Sequence, residues 1–254
     1  LAAGDLDGDG RPEIVAVTES NSVSIFSNTG DLLATSPTQS FAGSDPAISI
    51  ANVDSTGFAE IVIERTVLSL TRDSSGILQF ADRFRGEGTC CNGTNSQGGI
   101  SCVGDLNGDG GMEVIAGGRV YGFPNPPAGA QFHTDCAVFP PTTPEETDFC
   151  NGVLLNTVDD PVYWNSGIEG FCAVADVLGS DPLAATGPLN PPDGQPEVIL
   201  VTNGRVRIYG GLDGVSYRNL ALNGSRGGPP VVGDFDGDGF PEIGAAGSSA
   251  YVVV

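Results

Sequence analysis

Three acidic stretches carry the residue types and the spacing of a site for a hard cation. The stretch GDLDGDGRPEIV (4–15) places aspartates on alternate residues, with a glutamate four positions after the last; GDLNGDGGMEVI (104–115) and GDFDGDGFPEIG (233–244) share this frame. Ca²⁺ takes six to eight oxygen ligands in a flexible arrangement, and carboxylates at loop positions 1, 3, 5 and 9 with a carbonyl from position 7 supply such oxygens. Glycines between the acids let the backbone bend. The spacing therefore predicts about three calcium ions.

The predicted ligands form one set in each stretch. They are Asp5, Asp7, Asp9, the carbonyl of Arg11 and Glu13; Asp105, Asn107, Asp109, the carbonyl of Gly111 and Glu113; and Asp234, Asp236, Asp238, the carbonyl of Phe240 and Glu242. Eleven of these residues are carboxylates, half of the formal net charge of −22. Without a cation, carboxylates this close repel one another or have raised pKa values. The alternative, an acidic turn solvated by water, is disfavoured for these three loops.

Two further copies of the frame have fewer acidic residues in the ligand positions. ANVDSTGFAEIV (51–62) has Asn52, Asp54, Thr56 and Glu60 in the ligand positions, which favours a solvated turn. The other copy is split into ADV (175–177) and DGQPEVI (193–199), with Asp193 in the frame of Asp9 and Glu197 in the frame of Glu13. Asp176, Asp193 and Glu197 are a weaker candidate metal site, and a solvated turn is an equally open interpretation.

Short β-strands are expected to position every acidic loop. Small apolar runs such as LAAGD precede the loops, and runs such as EIVAVT followed by alternating segments such as SVSIFS come after them, with Gly and Asn at the turns. Successive glutamates of the frame lie 47, 53, 84 and 45 residues apart. Two insertions, about 124–165 and 178–192, lengthen the third interval. The remaining period is that of a four-stranded propeller blade. We therefore predict an all-β fold, a β-propeller of four-stranded blades with about five repeat units, in a single domain spanning 1–254.

The repeat frame resembles a known family. The pattern Asp-x-Asp-Gly-Asp-Gly-x-Pro-Glu-Ile followed by strands is similar to FG-GAP/VCBS repeats, the blades of the integrin-alpha-like β-propeller, and covers almost the whole chain outside the insertions. The resemblance implies calcium bound between inner strands of a blade, by the ligand sets named above. Propellers of this family usually have seven blades, so the resemblance leaves open that this chain is part of a larger propeller.

Composition narrows the classes of partner and compartment. The chain has 38 Gly and 18 Pro, which fits a turn-rich β protein. Its excess of acids means that a nucleic-acid partner is not expected, and no apolar run has the length of a membrane span.

The six cysteines are Cys90, Cys91, Cys102, Cys136, Cys150 and Cys172. Their even number favours disulfides and an extracellular, secreted or cell-surface location, and six cysteines allow 15 pairings. Cys90 and Cys91 are adjacent, so pairing with two different partners is favoured.

Function is expected in recognition rather than catalysis. The only histidine, His133, lies in the first insertion, and no GxSxG, HExxH or Walker pattern is present. Tyr163 and Trp164 stand beside acids in that insertion. They form either a sugar-binding surface or part of a packed loop that disulfides hold in place. We expect a non-catalytic calcium-binding protein of adhesion, recognition or structural assembly, with a protein or glycan partner at a cell surface or in an extracellular assembly. The alternative is a carbohydrate-binding, lectin-like propeller or an accessory module of a polysaccharide-active enzyme. A second chain could complete the short last unit, giving an oligomer or filament.

Overall fold

The computed structural model is built from antiparallel β-sheets. It describes residues 1–39, 41, 46–53, 58–85, 100–106, 108, 110–116, 119–122, 153–157, 170–179, 192–202, 204–211, 216–224 and 227–253, and only the backbone of 81–85, 119, 122 and 153–157. Within these ranges every regular element is a strand, which confirms the predicted all-β fold. No helix in the described part of the chain is long and apolar enough to cross a membrane.

Each repeat unit forms one sheet. Sheet 1 contains β1 (Ala2–Gly4), β2 (Glu13–Val17), β3 (Val23–Phe26) and β4 (Leu32–Thr35). Sheet 2 contains β5 (Ile48–Ala51), β6 (Glu60–Ile63), β7 (Thr66–Arg72) and β8 (Leu78–Arg85). Sheet 3 contains β9 (Ser101–Gly104), β10 (Glu113–Ala116), β11 (Arg119–Gly122) and β12 (Val153–Thr157). Sheet 4 contains β13 (Phe171–Ala175), β14 (Glu197–Thr202), β15 (Arg205–Gly210) and β16 (Ser216–Ala221). Sheet 5 contains β17 (Val231–Gly233), β18 (Glu242–Ala246) and β19 (Tyr251–Val253).

The sheets are antiparallel meanders that follow one another in chain order. Four of them have four strands, as predicted for the blades, and sheet 5 has three strands among the described residues. The first strands of the units contact one another in the order β1, β5, β9, β13, β17. The acidic loop of each unit joins its first strand to its second. The predicted insertion 124–165 contains β12, so it interrupts unit 3 between its third and fourth strands.

Four apolar clusters lie between consecutive sheets and form the core. Side chains alternate across each strand, so one face of a sheet packs on the preceding sheet and the other on the following one. We call these the trailing face and the leading face. Val15 on the leading face of sheet 1 shares a cluster with Ile61 and Ile63 on the trailing face of sheet 2. Because both faces of an internal sheet are covered, its second strand reads as a continuous apolar run after the glutamate, as in EIVI (60–63) and EVIA (113–116).

A disulfide adds a covalent link between two sheets. Cys102 on β9 and Cys172 on β13 are bonded, with their Cα atoms 6.0 Å apart and a sequence separation of 70. The link joins the first strands of units 3 and 4. The disulfide prediction is therefore confirmed for this pair. The other four predicted cysteines, Cys90, Cys91, Cys136 and Cys150, lie outside the described residues.

Candidate metal centres in the acidic loops

The first aspartate of each intact loop organises the turn. Asp5 accepts the N–H of Gly8 through Oδ1 at 2.7 Å and the N–H of Gly10 through Oδ2 at 2.9 Å. Asp105 and Asp234 make the matching pairs of bonds to their own loop glycines, at 2.6 and 3.0 Å in both loops. Gly8 and Gly10 have φ values of 75° and 83°. This left-handed backbone favours glycine, which explains the Asp-Gly-Asp-Gly pattern of the frame.

The second and third aspartates form turns of their own. Asp7 Oδ1 accepts the N–H of Asp9 at 3.1 Å, and Asp9 Oδ1 accepts the N–H of Arg11 at 2.8 Å. The loop of unit 5 repeats both bonds, at 3.0 and 2.9 Å. Such side-chain to backbone bonds are the ordinary way in which aspartate stabilises turns. They hold the carboxylates on the short segment between the first and second strands.

The glutamate at the end of the frame ties the loop back to its beginning. Its Oε2 accepts the N–H of the residue that follows the first ligand position of the frame, in all five units. In unit 1 this bond runs from Leu6 to Glu13 at 2.9 Å, and in unit 2 from Val53 to Glu60 at 3.0 Å. Unit 2 keeps the bond although it has fewer acidic residues in its loop. The glutamate therefore has a structural role that does not depend on a complete set of acids.

Two loops bring three carboxylates together. One oxygen each from Asp5, Asp7 and Glu13 lie within 4.8 Å of one another, and the equivalent residues of unit 5, Asp234, Asp236 and Glu242, form a second such group. Carboxylate oxygens are the donors that hard divalent cations prefer, so both groups fit the predicted ion. Asp9 and Asp238 are outside these groups, and the ligand roles given to them and to the carbonyls of Arg11, Gly111 and Phe240 stay predictions.

The structure covers the loops of units 2, 3 and 4 in part. In unit 3 it describes Asp105 and Glu113, whereas Asn107 and Asp109 lie outside the described residues. In unit 2, Asp54 and Thr56 lie outside them as well. In unit 4 the two halves of the split loop meet, because Asp176 accepts the N–H groups of Asp193 at 3.1 Å and Gly194 at 2.7 Å.

Burial and mutual repulsion raise the pKa of two of the glutamates. Burial is the largest cause for Glu13; the Leu6 hydrogen bond opposes it, and Asp7, Asp9 and Asp5 raise the pKa further. Burial raises the pKa of Glu197 to about 7, against hydrogen bonds from Val177 and Leu178 and with further raising by Asp176 and Asp193. A cation beside these groups would favour their charged forms and so lower both pKa values.

Sequence reasoning missed a contact from the neighbouring sheet. Arg72 at the end of β7 donates to Asp7 Oδ2 and to the carbonyl of Gly76, the latter at 2.8 Å. Asp7 and Arg72 are 65 residues apart in sequence, so no local pattern could have indicated the pair. The ion pair ties the acidic loop of unit 1 to sheet 2.

A cavity of about 460 Å³ opens beside this ion pair. The acidic loop of unit 1, the β3–β4 turn (27–31) and the β7–β8 turn line it together. It offers two arginines, Arg11 and Arg72, the hydroxyls of Ser27 and Thr29, and exposed Ile77. The sequence-based binding candidates Tyr163 and Trp164, and His133, lie outside the described residues.

The comparisons with known proteins agree with this repeat frame. Residues 5–63, the first unit and the start of the second, match the FG-GAP-like repeat family, which confirms the predicted resemblance for this part of the chain. Curated protein sequences yield no match to the chain.

Several solved structures share the fold. The V. cholerae biofilm matrix protein Bap1 has 20% identity and a TM-score of 0.51 over 92% of this chain and 32% of its own. The rhamnogalacturonan lyase YesW has 15% identity and a TM-score of 0.52 over 96% and 43%. The Bacillus licheniformis rhamnogalacturonan lyase PL11 has 15% identity and a TM-score of 0.54 over 99% and 45%. The chain thus spans less than half of each of these proteins, and at such identities the likeness shows the fold.

Proposed function

We propose that this chain is an extracellular, non-catalytic, calcium-stabilised repeat scaffold that serves adhesion, recognition or structural assembly. The observation that carries the proposal is the pair of carboxylate groups in units 1 and 5, each with three oxygens within 4.8 Å of one another. Asp5, Asp7 and Glu13 would hold one ion, and Asp234, Asp236 and Glu242 another. Because each group joins the loop to the start of the second strand, a bound Ca²⁺ would stabilise the junction of the two strands by offsetting carboxylate repulsion.

Calcium-binding stoichiometry tests the metal part of the proposal. We expect equilibrium dialysis against Ca²⁺ to give one ion fewer per chain for the double variant Asp234→Asn with Asp236→Asn, and likewise for Asp5→Asn with Asp7→Asn. The control is Glu19→Gln, an exposed acid in the β2–β3 turn outside the acidic loops. Unchanged stoichiometry in both double variants would contradict the assignment.

The proposed extracellular location and the proposed role in recognition or assembly are supported by different observations. The Cys102–Cys172 disulfide is typical of proteins from oxidising environments. One structure with the same fold is a biofilm matrix protein, and others are lyases of the polysaccharide rhamnogalacturonan. These neighbours are distant, and they favour an extracellular role at a matrix or a polysaccharide over an intracellular one.

A glycan ligand is the second candidate function, favoured by the cavity between units 1 and 2. Arginines, carboxylates, hydroxyls and an exposed apolar side chain line it, and sugars are bound by such mixed surfaces of hydrogen-bonding and apolar groups. We expect Arg72→Gln to weaken retention of the chain on an immobilised acidic polysaccharide, whereas Arg205→Gln on sheet 4 leaves it unchanged. Retention that is equal in both variants would remove this cavity as the site. Release of new chain ends from the polysaccharide would contradict the non-catalytic assignment.

A further inference from the structure

Arg72 holds the carboxylate oxygen through which Asp7 would contribute to the cation group of unit 1. The other oxygen of Asp7, Oδ1, accepts the N–H of Asp9 at 3.1 Å as part of the turn. The loop of unit 5 makes the same turn bond through Asp236 Oδ1, so this oxygen serves the backbone in both loops. The Arg72 guanidinium donates to Asp7 Oδ2. An ion bound by the unit 1 group would therefore compete with Arg72 for one oxygen.

The ion pair joins a nearly buried carboxylate to a half-exposed arginine. The Asp7 side chain is 8% exposed, whereas the Arg72 side chain is 46% exposed. A carboxylate with so little access to water needs a positive partner, and either a guanidinium or a metal ion can serve. Arg72 also donates to the carbonyl of Gly76 at 2.8 Å, so the β7–β8 turn would keep its guanidinium at the cavity once an ion has taken Asp7. Arg72 is thus a replaceable partner of this carboxylate.

The charge around the cavity depends on the ion. Four carboxylates and two arginines line it, a formal charge of −2, and they are Asp7, Asp9, Glu13, Asp31, Arg11 and Arg72. This charge repels an anionic ligand. A divalent cation held by Asp5, Asp7 and Glu13 would cancel it and would free Arg72 from its internal partner. The same cavity would then attract an anion.

Neutral groups around the arginines fit a sugar that carries the anionic group. Ser27 and Thr29 offer hydroxyls, and Ile77, which is 54% exposed, offers an apolar surface to a sugar ring. A guanidinium pairs with a carboxylate through two parallel hydrogen bonds. Together these features favour a uronic acid, a sugar that carries a carboxylate, over a neutral sugar.

We propose that Ca²⁺ in unit 1 and a uronic-acid glycan in the cavity bind cooperatively, because both depend on the position of Arg72. Arg72 leaves Asp7 Oδ2 when the ion binds there, and it pairs with the carboxylate of the glycan. Coupling between two sites is reciprocal, so calcium tightens glycan binding by the factor by which the glycan tightens calcium binding. The inference rests on the proposed function for both the ion and the glycan, and adds the link between them.

Calcium titration without any glycan tests the competition at Asp7. The titrated chain carries Asp105→Asn, Asp234→Asn and Asp236→Asn, so that unit 1 has the remaining intact acidic loop. Adding Arg72→Gln should lower the Kd for Ca²⁺ about fivefold or more, because the ion no longer displaces a guanidinium. Arg205→Gln on sheet 4 removes the same charge away from the cavity and should leave the Kd unchanged. A Kd that is unchanged or raised by Arg72→Gln would overturn the competition.

Circular dichroism melts show whether this background chain folds. If it does not, the same comparison is made in the wild-type chain, where Arg72→Gln should tighten one of the bound ions and leave the others as they are. No change in any of the ions would count against the competition in the same way.

Glycan binding in calcium and in chelator tests the coupling. The probe is a galacturonic acid trisaccharide, and its neutral galactose counterpart is the control. In calorimetry the wild-type chain should bind the acidic probe about fivefold or more tightly in calcium than in chelator. The Arg72→Gln variant and the neutral probe should show no such difference. Equal binding of the acidic probe in both conditions would contradict the coupling, and a calcium dependence that persists in Arg72→Gln would remove Arg72 as its cause.

The outcomes also separate this inference from the proposed function. If Asp5→Asn with Asp7→Asn changes no calcium binding, the metal assignment in unit 1 fails, and this inference fails with it. If the acidic probe binds in neither condition, the glycan assignment fails, again together with this inference. If the ion and the probe both bind but independently of each other, the proposed function stands and the cooperative exchange at Arg72 is wrong.

Discussion

At the scale of single residues, the acidic frame combines two tasks in one stretch. The aspartates hold the turn through backbone hydrogen bonds, and in units 1 and 5 they also converge with the glutamate. Alternating acids with a later glutamate could be recognised from the sequence, because ligand spacing is local. The bond from the glutamate to the start of the loop could not, since the ligand pattern gives no indication of a second role. Arg72 could not either, because its partner belongs to another unit.

Unit 2 isolates the structural role of the glutamate. We expect Glu60→Ala to lower the free energy of unfolding by about 1–3 kcal/mol, because the buried N–H of Val53 loses its acceptor. Glu60→Gln keeps an acceptor oxygen and should cost less. Urea denaturation measures both, and Ca²⁺ stoichiometry should be the same in both variants. A Glu60→Ala chain as stable as the wild type would contradict this role.

Alanine substitutions at two glycines of the frame distinguish the cost of backbone strain from the cost of side-chain crowding. Gly8 and Gly237 have φ values of 75° and 82°, but a Cβ on Gly8 would lie 2.3 Å from the ring of Phe58, whereas one on Gly237 would meet nothing within 4 Å. Alanine at either position should cost about 1 kcal/mol for the left-handed backbone. Gly8→Ala should cost up to about 1 kcal/mol more, because the half-exposed Phe58 ring must move aside.

The Phe58 ring provides the control for this comparison. In thermal melts, Phe58→Ala should recover part of the loss in a Gly8→Ala background and none of it in a Gly237→Ala background. Equal melting temperatures for the two alanine variants would show that the ring does not crowd the loop.

At the scale of elements, the period of the frame predicted the sheets well. The runs after each glutamate are second strands and the alternating runs are third strands, because patterns of period 2 and Gly or Asn turns act locally. The sequence pattern does not indicate the fourth strand of unit 3, because β12 lies beyond a long intervening segment inside the predicted insertion. In every four-stranded sheet the register shifts between the third and fourth strands. Such bulges increase strand twist, and the sequence pattern gave no indication of them.

The disulfide between β9 and β13 should stabilise the junction of units 3 and 4. Replacing both Cys102 and Cys172 with alanine is expected to lower the free energy of unfolding by about 2–4 kcal/mol, since the unfolded chain regains the freedom of a long loop. Chemical denaturation under non-reducing conditions measures the change. An unchanged midpoint would mean that the apolar cluster between sheets 3 and 4 holds the junction without the bond.

At the scale of the whole molecule, the chain is a succession of sheets whose stability is shared between neighbours. Each internal sheet is covered on both faces by apolar clusters, whereas the acidic loops concentrate negative charge at one end of the strands. An array with a net charge of −22 is destabilised by its own repulsion unless counter-ions offset it. Calcium at the loops would therefore stabilise the fold as a whole.

The most direct test of this account is a calorimetric melt of the wild-type chain in excess calcium and in excess chelator. A ligand that binds the folded state alone adds about 2.7 kcal/mol per site when its free concentration is a hundred times its dissociation constant. We expect a clearly higher melting temperature in calcium, and a smaller increase for the Asp234→Asn and Asp236→Asn double variant. The same melting temperature in calcium and in chelator would contradict it.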